Sequence, residues 1–566
     1  MFKSRKYALA ALMLLVTSTT AVSERERELP NVDLGYEIHQ AANFNETGGF
    51  YNFTNIRYGA PPLGDLRFAP PQRPAVNRSV VQNGEIPRIC PQASPGWQPT
   101  AFAVMSQFTA GLPINVSSNI GTDQPLPPID PRTTEDCLFL DVMVPKGIFD
   151  AQQNGSGAAV LVWIYGGGYT AGWKAAAPWN SPGGLLRRSN DTIIYVALNY
   201  RLGAFGFLSG STMLQESTPN VGLYDQRLAL EWIGENIAKF GGDPNRVTVM
   251  GESAGAGSIV HQITAFCGRS ANDSCAGAPF NQAILQSTGW FPHLPITEQD
   301  RLFEEYLRVL NVSTLQEARR LSSEALIMAN QAIVRDSPYG AFSFGPTVDG
   351  AFVPAVPSVS LLEGRFDSDI TIMAGHNTVE GPLFTPPNAT DPSTFAESVL
   401  ALYPDMTQDK LAHVTDTLYP AVYDGTYGYT DPFRRAANMR ADVVIVCKKR
   451  PVLAAFQDRV YSYQFSLPPG LHGADLEYTF YDDAGERPFD PISLSGVASE
   501  EAAFTFQRWI AEFVNNGEPR NLNGTSLRFP GLESNASTVD LDVGGVRVIP
   551  EYAAGDRCAF WVTLDS

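Results

Sequence analysis

The stretch VTVMGESAGAGSIVHQI, residues 247–263, joins a strand pattern to a helix pattern through the motif G-x-S-x-G. Val247–Met250 is an apolar run that predicts a short buried strand, and the residues after Gly255 have helical spacing. A serine on such a sharp turn needs small residues two positions before and after it, so that strand and helix can approach closely. The start of the helix would direct its amide groups toward a negative charge developing beside Ser253. We therefore predict that Ser253 is a nucleophile.

Further apolar runs before and after this stretch predict a sheet. They are short and apolar throughout, as expected of strands that are buried on both faces. They alternate with helical patterns such as Leu223–Phe240. This alternation predicts an α/β fold, in which helices flank a central, mostly parallel sheet. The predicted strands are Ala159–Tyr165, Thr192–Leu198, Val247–Met250, Ala283–Leu285, Ile370–Met373 and Tyr461–Phe465.

Three consecutive glycines, residues 166–168, follow the first of these strands. Backbone amides can converge on an oxyanion only where the chain turns freely and no side chain intervenes, which favours glycine. This fold needs such a loop upstream of the nucleophile. A simple glycine turn is the alternative interpretation. We expect the loop to supply donors to an oxyanion hole, with the amide of Ala254 as a further donor.

His472 is the histidine best placed to act as a base. In this fold the order along the chain is serine, acid, histidine, which excludes His39. His261 lies two turns into the predicted helix after the serine and cannot reach back to it. His293 comes too early for an acid to precede it, and His413 lies in a helical pattern. His472 follows a late strand and lies in the loop LPPGLHGAD, which suits a base between nucleophile and leaving group.

Glu380 is the candidate acid between the nucleophile and His472. It follows the strand segment ITIMAG and precedes Gly381. Most carboxylates of a soluble protein are surface charges, and a solvated surface charge is the alternative interpretation for Glu380. His376 in the same loop is a rival for a functional role, but we expect it to be structural.

The composition indicates an acidic, exported protein. The 566 residues include 59 Asp and Glu against 40 Lys and Arg, and the net charge of −19 disfavours nucleic acid and anionic membranes as partners. A basic start, the apolar run Ala8–Val16 and small residues after it predict a secretory signal over residues 1–22, cleaved near Ala21 or Ser23. No later run is long enough for a membrane span, so we expect no integral membrane association.

Cysteines and glycosylation sequons also favour an extracellular location. The six cysteines are an even set, which is typical of disulfides formed in an oxidising compartment. N-linked glycans are expected because N-x-S/T sequons are frequent. These sequons begin at Asn45, Asn52, Asn77, Asn115, Asn154, Asn190, Asn272, Asn311, Asn388, Asn523 and Asn535.

Several ordered motifs resemble the type-B carboxylesterases, a family that includes cholinesterases and fungal extracellular lipases. Besides GESAGAGS, they are NIRYGAPPLGDLRF (55–68), EDCLFLDV (135–142), WIYGGGY (163–169), NYRLGAFGFL (199–208), DQRLALEWIGENIAKFGGDPNRVT (225–248) and RCAFW (557–561). The resemblance implies an α/β-hydrolase fold with large loop insertions, in a single catalytic domain over residues 23–566. It also implies a carboxylic-ester hydrolase that needs no metal and no organic cofactor.

The same resemblance implies a role for each candidate residue. Ser253 takes the position of the nucleophile, Glu380 that of the acid and His472 that of the base. The oxyanion donors correspond to Gly167, Gly168 and Ala254. Sequence alone leaves many disulfide pairings open. The family order implies the pairs Cys90–Cys137, Cys267–Cys275 and Cys447–Cys558.

The substrate stays open on sequence grounds, and a small-molecule ester or a lipid ester is expected. An apolar segment with helical spacing, Ala101–Phe108, lies between Cys90 and Cys137. It is compatible with a lid, as in the lipases, or with ordinary packing. Trp290 and Phe291 are candidates for the acyl pocket or for the core. Amide hydrolysis is a further alternative. A non-catalytic binding protein on the same fold is the alternative of another class, but such relatives typically lose a triad residue that this chain keeps.

Overall fold

A long central sheet organises the chain. The computed structural model describes residues 28–564, apart from 118–124, 153, 154, 156, 176–180, 268–274, 291–293, 392, 485–495 and 521–535. Within these ranges the strands are β1 Asn31–Asp33, β2 Ile38–Gln40, β3 Asn43–Asn45, β4 Phe50–Arg57, β5 Val81–Gln82, β6 Phe139–Pro145, β7 Ala158–Ile164, β8 Ile193–Leu198, β9 Gly242–Glu252, β10 Gln282–Gln286, β11 Thr371–Asn377, β12 Val460–Phe465, β13 Ser537–Asp542 and β14 Gly545–Pro550. Eleven of them form one sheet in the order β14-β13-β12-β11-β10-β9-β7-β8-β6-β4-β3.

Helices lie between most of these strands along the chain. In the described part they are α1 Gln98–Thr109, α2 Lys146–Asp150, α3 Gly183–Arg188, α4 Gly203–Phe207, α5 Ser211–Glu216, α6 Val221–Asn236, α7 Ala254–Ile263, α8 Ile296–Val309, α9 Leu315–Arg319, α10 Ser323–Arg335, α11 Pro357–Leu362, α12 Thr394–Leu400, α13 Gln408–Ala412, α14 Pro432–Val444, α15 Lys449–Phe456, α16 Ala474–Thr479, α17 Glu500–Asn516 and α18 Asp556–Val562. Every strand predicted from an apolar run is present, and the predicted helix Leu223–Phe240 is α6 with a 3₁₀ turn after it.

The centre of the sheet is parallel and its two ends are antiparallel. The neighbours from β8 through β7, β9, β10, β11 and β12 to β13 all pair in parallel. The pairs β3–β4, β4–β6, β6–β8 and β13–β14 are antiparallel. The predicted mostly parallel α/β sheet is therefore confirmed. Its antiparallel ends escaped prediction because a strand such as β4, FYNFTNIR, is only partly buried and interrupts its apolar residues with polar ones.

Helices cover both faces of the sheet, which explains the continuous apolar runs in the central strands. All residues of β8 are buried, and so are all but the first residue of β7. On β12, Tyr463 packs against Phe506 of α17, whereas Ser462 accepts a hydrogen bond from Lys449 Nζ of α15. Because successive residues of a strand point to opposite faces, α17 and α15 lie on opposite sides of the sheet.

Three disulfides link loops around this core. They join Cys90 to Cys137, Cys267 to Cys275 and Cys447 to Cys558, the pairs that the family resemblance implies. The first encloses the long segment that contains α1. No helix of the described ranges combines the length and apolar character needed to cross a membrane. The predicted secretory signal, residues 1–22, lies outside the described residues.

Candidate active site

The turn between β9 and α7 has the strained geometry expected of an exposed nucleophile. Ser253 has φ 55° and ψ −123°, a backbone conformation that a non-glycine residue seldom adopts. A Cβ on Gly251 would lie 2.6 Å from the carbonyl carbon of Gly255, and a Cβ on Gly255 only 2.1 Å from the oxygen of Ile164. Neither glycine can therefore carry a side chain, as the motif predicts.

Ser253, Glu380 and His472, which the sequence analysis singled out, lie together at the carboxyl ends of the parallel strands. Ser253 follows β9, Glu380 follows β11 and His472 follows β12. The last two loops run side by side, because the N–H of Val379 donates to the carbonyl oxygen of Gly470 at 2.8 Å. Carboxyl ends of adjacent parallel strands meet at one edge of the sheet, so residues distant in sequence converge there.

A continuous hydrogen-bonded chain joins the three side chains. His472 Nε2 lies 3.0 Å from Ser253 Oγ, and its Nδ1 lies 2.5 Å from Glu380 Oε2. The other carboxylate oxygen, Glu380 Oε1, accepts hydrogen bonds from Ser287 Oγ at 2.7 Å and from the backbone N–H of Asn377 at 2.6 Å. Glu380 is fully buried, and the charge of His472 outweighs the effect of burial, so that the pKa of Glu380 is lowered. These bonds fix the carboxylate in an ionised form.

Two further carboxyl groups, those of Glu252 and Asp475, act on the imidazole of His472. Glu252 Oε1 lies 3.3 Å from His472 Nε2, and Asp475 is fully buried close by, bonded to Asn377 Nδ2 at 3.0 Å. Burial opposes the charged form of His472, but the charges of Glu252 and Glu380 outweigh it and raise the pKa of His472 to about 9. Burial raises the pKa of Glu252 to about 8 and that of Asp475 to about 6. The neighbouring carboxyl groups therefore raise the proton affinity of the His472 imidazole.

The glycine loop before Tyr169 supplies backbone amides next to Ser253. Gly167 has φ 100° and Gly168 has φ 62°, which favour glycine. A Cβ on Gly168 would lie 2.1 Å from the ring of Phe342, so a side chain is excluded there. Among the described residues, none accepts a hydrogen bond from the N–H of Gly167, Gly168 or Ala254. All three groups are thus available to an anion, as an oxyanion hole requires.

A mainly apolar cavity of about 230 Å³ opens onto Ser253. The predicted segment Ala101–Phe108 is helical and belongs to α1, and its Phe102 and Met105 line this cavity. Apolar side chains form most of its walls, but Gln98, Glu252 and Glu477 also line it. The apolar walls suit an uncharged ester, and the two carboxyl groups disfavour an anionic substrate.

The other described histidines lie away from the nucleophile. His39, His261 and His376 are buried and His413 is exposed, and none is hydrogen-bonded to Ser253. His376 Nδ1 lies 3.0 Å from its neighbour's carbonyl oxygen, and its structural role stays a prediction. His293 and Phe291 lie outside the described residues, and Trp290 is buried.

Sequence reasoning missed the groups that surround the three side chains. Glu252 occupies the variable position of G-x-S-x-G, and Asp475 belongs to the sequence HGAD after His472. Their positions were visible in those motifs, but only the folded chain shows that Glu252 contacts the imidazole and that the charge of Asp475 acts on it. Ser287 and Asn377 carried no sequence signal, because single polar residues after strands are common.

One cluster of the described residues has the spacing of metal ligands, namely Asp442, Cys447 and Cys558. Its two cysteines are joined in a disulfide and offer no thiolate.

Comparison with known proteins identifies the family. The model of the carboxylesterase family matches residues 39–561. Carboxylesterase patB of Penicillium expansum is 39% identical, over 98% of this chain and 99% of that protein. The secreted triacylglycerol lipase LIP1 of Gibberella zeae is 30% identical, over 84% of this chain and 80% of the lipase. The crystal structure of Aspergillus niger EstA superposes with a TM-score of 0.75 at 24% identity, covering 95% of this chain and 98% of EstA, which supports the fold. The chain therefore belongs to the carboxylesterase family, has the α/β-hydrolase fold and is a carboxylic-ester hydrolase.

Proposed function

We propose that this protein is a secreted serine esterase, in which Ser253, His472 and Glu380 form a catalytic triad. The observation that carries the proposal is the hydrogen-bonded chain from Ser253 Oγ through the imidazole of His472 to Glu380 Oε2, with distances of 3.0 and 2.5 Å. Serine is a weak nucleophile by itself and needs a base within hydrogen-bond reach that a third group orients. This arrangement has each of those parts.

The reaction proceeds through an acyl-enzyme. His472 Nε2 takes the proton of Ser253 Oγ as the oxygen attacks the ester carbonyl carbon. The N–H groups of Gly167, Gly168 and Ala254 bind the oxyanion that forms. His472 then protonates the leaving alcohol oxygen, and the acyl group stays on the serine. A water molecule that gives its proton to His472 releases the acid, and Glu380 stabilises the imidazolium in both steps.

Export from the cell is supported by independent features of the described residues. The three disulfides suit an oxidising compartment. Several asparagines of glycosylation sequons are exposed, as an acceptor must be. These are Asn77, Asn115, Asn190, Asn311 and Asn388. Recovery of the full-length chain from the culture medium, with a mass that falls on enzymatic deglycosylation, would support export; retention inside the cells would contradict it.

An active-site label tests the mechanism. A fluorophosphonate, which phosphonylates activated serines, should stop hydrolysis of p-nitrophenyl butyrate and add its mass to the peptide that contains Ser253. Ser258, a buried serine on the same helix, should stay unlabelled. Label on another residue with loss of activity would contradict the triad. If the protein neither reacts nor hydrolyses any ester, the alternative of a non-catalytic binding protein replaces the proposal.

Hydrolysis of lipid substrates is a second candidate, favoured by the apolar helix α1. We call the cavity of about 230 Å³ at Ser253 the catalytic cavity. Phe102 and Met105 of α1 line it, while Phe108 packs against Phe433 of α14. A lid of this kind uncovers the site at an oil–water interface. Activity on triolein that rises sharply once the substrate forms an emulsion would support a lipase. A hydrolysis rate that depends only on the concentration of dissolved ester, with a preference for short acyl chains, would support an esterase of small molecules.

The carboxyl of Glu252 should set the pH range of the enzyme. Only neutral His472 can accept the proton of Ser253, and the pKa of His472 is raised to about 9 by the neighbouring carboxylates against the effect of burial. Glu252→Gln removes one of these charges, 3.3 Å from Nε2, and should lower the pKa. We expect the rise of kcat/KM with pH to move to lower pH by about one unit, measured with p-nitrophenyl acetate.

Asp475→Asn is the matched control for this prediction. This substitution removes a buried carboxyl that also raises the pKa of His472. Its influence on that pKa is smaller than those of Glu252 and Glu380. Its profile should move in the same direction by a smaller amount. An unchanged profile for Glu252→Gln, or a shift to higher pH, would show that Glu252 does not act on the base in this way.

A further inference from the structure

A second apolar cavity lies beside the catalytic cavity and shares with it the side chain of Phe342. We call it the inner chamber. It has a volume of about 130 Å³, and its walls include Phe207, His261, Trp290, Leu302, Val353 and Val444. This volume is several times what a single water molecule needs. Among the described residues that line the two cavities, only Phe342 is common to both, so we place it in the wall between them.

Two residues that line the inner chamber each have a buried polar atom without a partner among the described residues. His261 is 3% exposed and Trp290 is 2% exposed. Neither His261 Nδ1 nor Trp290 Nε1 is hydrogen-bonded to any described residue. Buried polar atoms are nearly always paired, and an unpaired one is costly. In contrast, Trp97 lines the catalytic cavity and donates its Nε1–H to the carbonyl oxygen of Ala341 at 2.9 Å.

His261 is a neutral hydrogen-bonding group. Burial lowers its pKa to about 3, so the imidazole carries no charge at neutral pH. A neutral imidazole offers one N–H donor and one acceptor nitrogen, and the indole of Trp290 offers one donor. The pair can bind an uncharged oxygen atom, such as a ketone or hydroxyl oxygen, and neither residue carries a charge that would balance an ionic group.

The position of the inner chamber assigns it to the acyl side of an ester. His472 must be near the alcohol oxygen that it protonates, so the alcohol group lies toward the loop that carries His472. Residues of that loop line the catalytic cavity, and none of them lines the inner chamber. The chamber instead adjoins the oxyanion loop, since a Cβ on Gly168 would lie 2.1 Å from Phe342. Gly289, the neighbour of Trp290, donates its N–H to the carbonyl oxygen of Ser253 at 3.0 Å.

We propose that the inner chamber selects acyl groups that carry a ketone or hydroxyl oxygen, bound by Trp290 Nε1–H and His261. This inference rests on the proposed attack of Ser253 on the ester. His261 lies eight residues beyond Ser253 on α7, roughly 12 Å along the helix axis. The selected oxygen is therefore several atoms away from the ester carbonyl, and the apolar walls enclose the carbon chain between them. Phe342 must turn aside for a long acyl group to enter.

Matched pairs of p-nitrophenyl esters test this selection. One member of each pair is an oxoalkanoate and the other its methyl-branched isostere: 4-oxopentanoate with 4-methylpentanoate, 6-oxoheptanoate with 6-methylheptanoate, and 8-oxononanoate with 8-methylnonanoate. The ratio of kcat/KM within each pair removes differences in enzyme concentration and leaving group. We expect the unmodified enzyme to prefer the oxo ester by about tenfold to a hundredfold for at least one pair.

Each polar atom is then removed separately. His261→Leu and Trp290→Phe should each bring the preferred ratio down by about tenfold, and either variant suffices if the other does not fold. His413→Leu, which removes an exposed imidazole outside both cavities, should keep the ratio of the unmodified enzyme. Ratios near one for all three pairs, or a preference that survives both substitutions, would overturn the inference.

Hydrolysis of p-nitrophenyl acetate separates this inference from the function on which it rests. If the unmodified enzyme cleaves the acetate and Ser253→Ala does not, the serine esterase stands even where the oxo esters show no preference. If the unmodified enzyme cleaves none of the esters, the proposed function fails first and the inference with it.

Discussion

Ser253→Ala should lower kcat for p-nitrophenyl butyrate by roughly a millionfold, the order of loss that follows removal of a serine nucleophile from a triad. The hydroxyl lies 3.0 Å from His472 Nε2 and has the backbone conformation that exposes it to substrate. Without it no acyl-enzyme can form. The oxyanion donors and the cavity remain, so a small acceleration over water should persist. Burst and steady-state rates of p-nitrophenol release measure both effects.

Ser258→Ala is the control for this loss. Ser258 is a buried serine of the same helix, and its Oγ accepts a hydrogen bond from Gln226 Nε2 at 3.0 Å. Removing its hydroxyl should cost about 1 kcal/mol of stability and leave kcat within about tenfold, because it does not line the catalytic cavity. Equal losses in the two variants would mean that the damage is to the fold. A loss of less than about a hundredfold in Ser253→Ala would mean that another group performs the attack.

The fold was predictable where a local pattern decides it. The central strands are buried on both faces and are therefore apolar throughout, and Gly251 and Gly255 leave no room for side chains. Ser253, Glu380 and His472 could be selected because Ser253 directly follows β9 and the other two lie in the loops after β11 and β12. In a parallel sheet this position alone brings residues together, whatever their distance in sequence.

The surroundings of these residues could not be predicted, because they depend on packing between distant segments. Glu252 occupies a position of its motif that accepts any residue, so the sequence gives it no role. The structure places its Oε1 3.3 Å from His472 Nε2. The inner chamber is built from α4, α7, the loop that contains Phe342 and the end of α14, so no single stretch of sequence marks it. The sequence leaves both the acyl pocket and the core open for Trp290, which the structure shows as a buried residue that lines this chamber. For α1 the helix is present, and its role as a lid stays a prediction.

Glu380→Gln should lower kcat by about ten thousandfold, although it removes no atom that touches the substrate. The reason lies in the two donors at Oε1. Ser287 Oγ at 2.7 Å and the N–H of Asn377 at 2.6 Å both donate to this position, so the amide oxygen of a glutamine must occupy it. The amide NH₂ group then replaces Oε2, 2.5 Å from His472 Nδ1.

This orientation reverses the tautomer of the imidazole. Facing a donor, Nδ1 of His472 must become the acceptor, and the ring proton moves to Nε2. A protonated Nε2 cannot accept the hydroxyl proton of Ser253, and the imidazolium also loses its buried counter-charge. Raising the pH should not restore activity, since neutral histidine is already present in the wrong form. The measurement is the pH profile of kcat for p-nitrophenyl butyrate.

Asp475→Asn distinguishes two explanations for the loss in Glu380→Gln, namely a reversed imidazole tautomer and a missing negative charge. Asp475 is as deeply buried as Glu380, and its oxygens accept hydrogen bonds from Asn377 Nδ2 and Gln286 Nε2, so it does not contact the imidazole. Losing this carboxyl should shift the pH profile and leave the maximal kcat within about tenfold. Comparable losses of maximal kcat in both variants would mean that negative charge near His472, and not the orientation of its ring protons, is what Glu380 supplies.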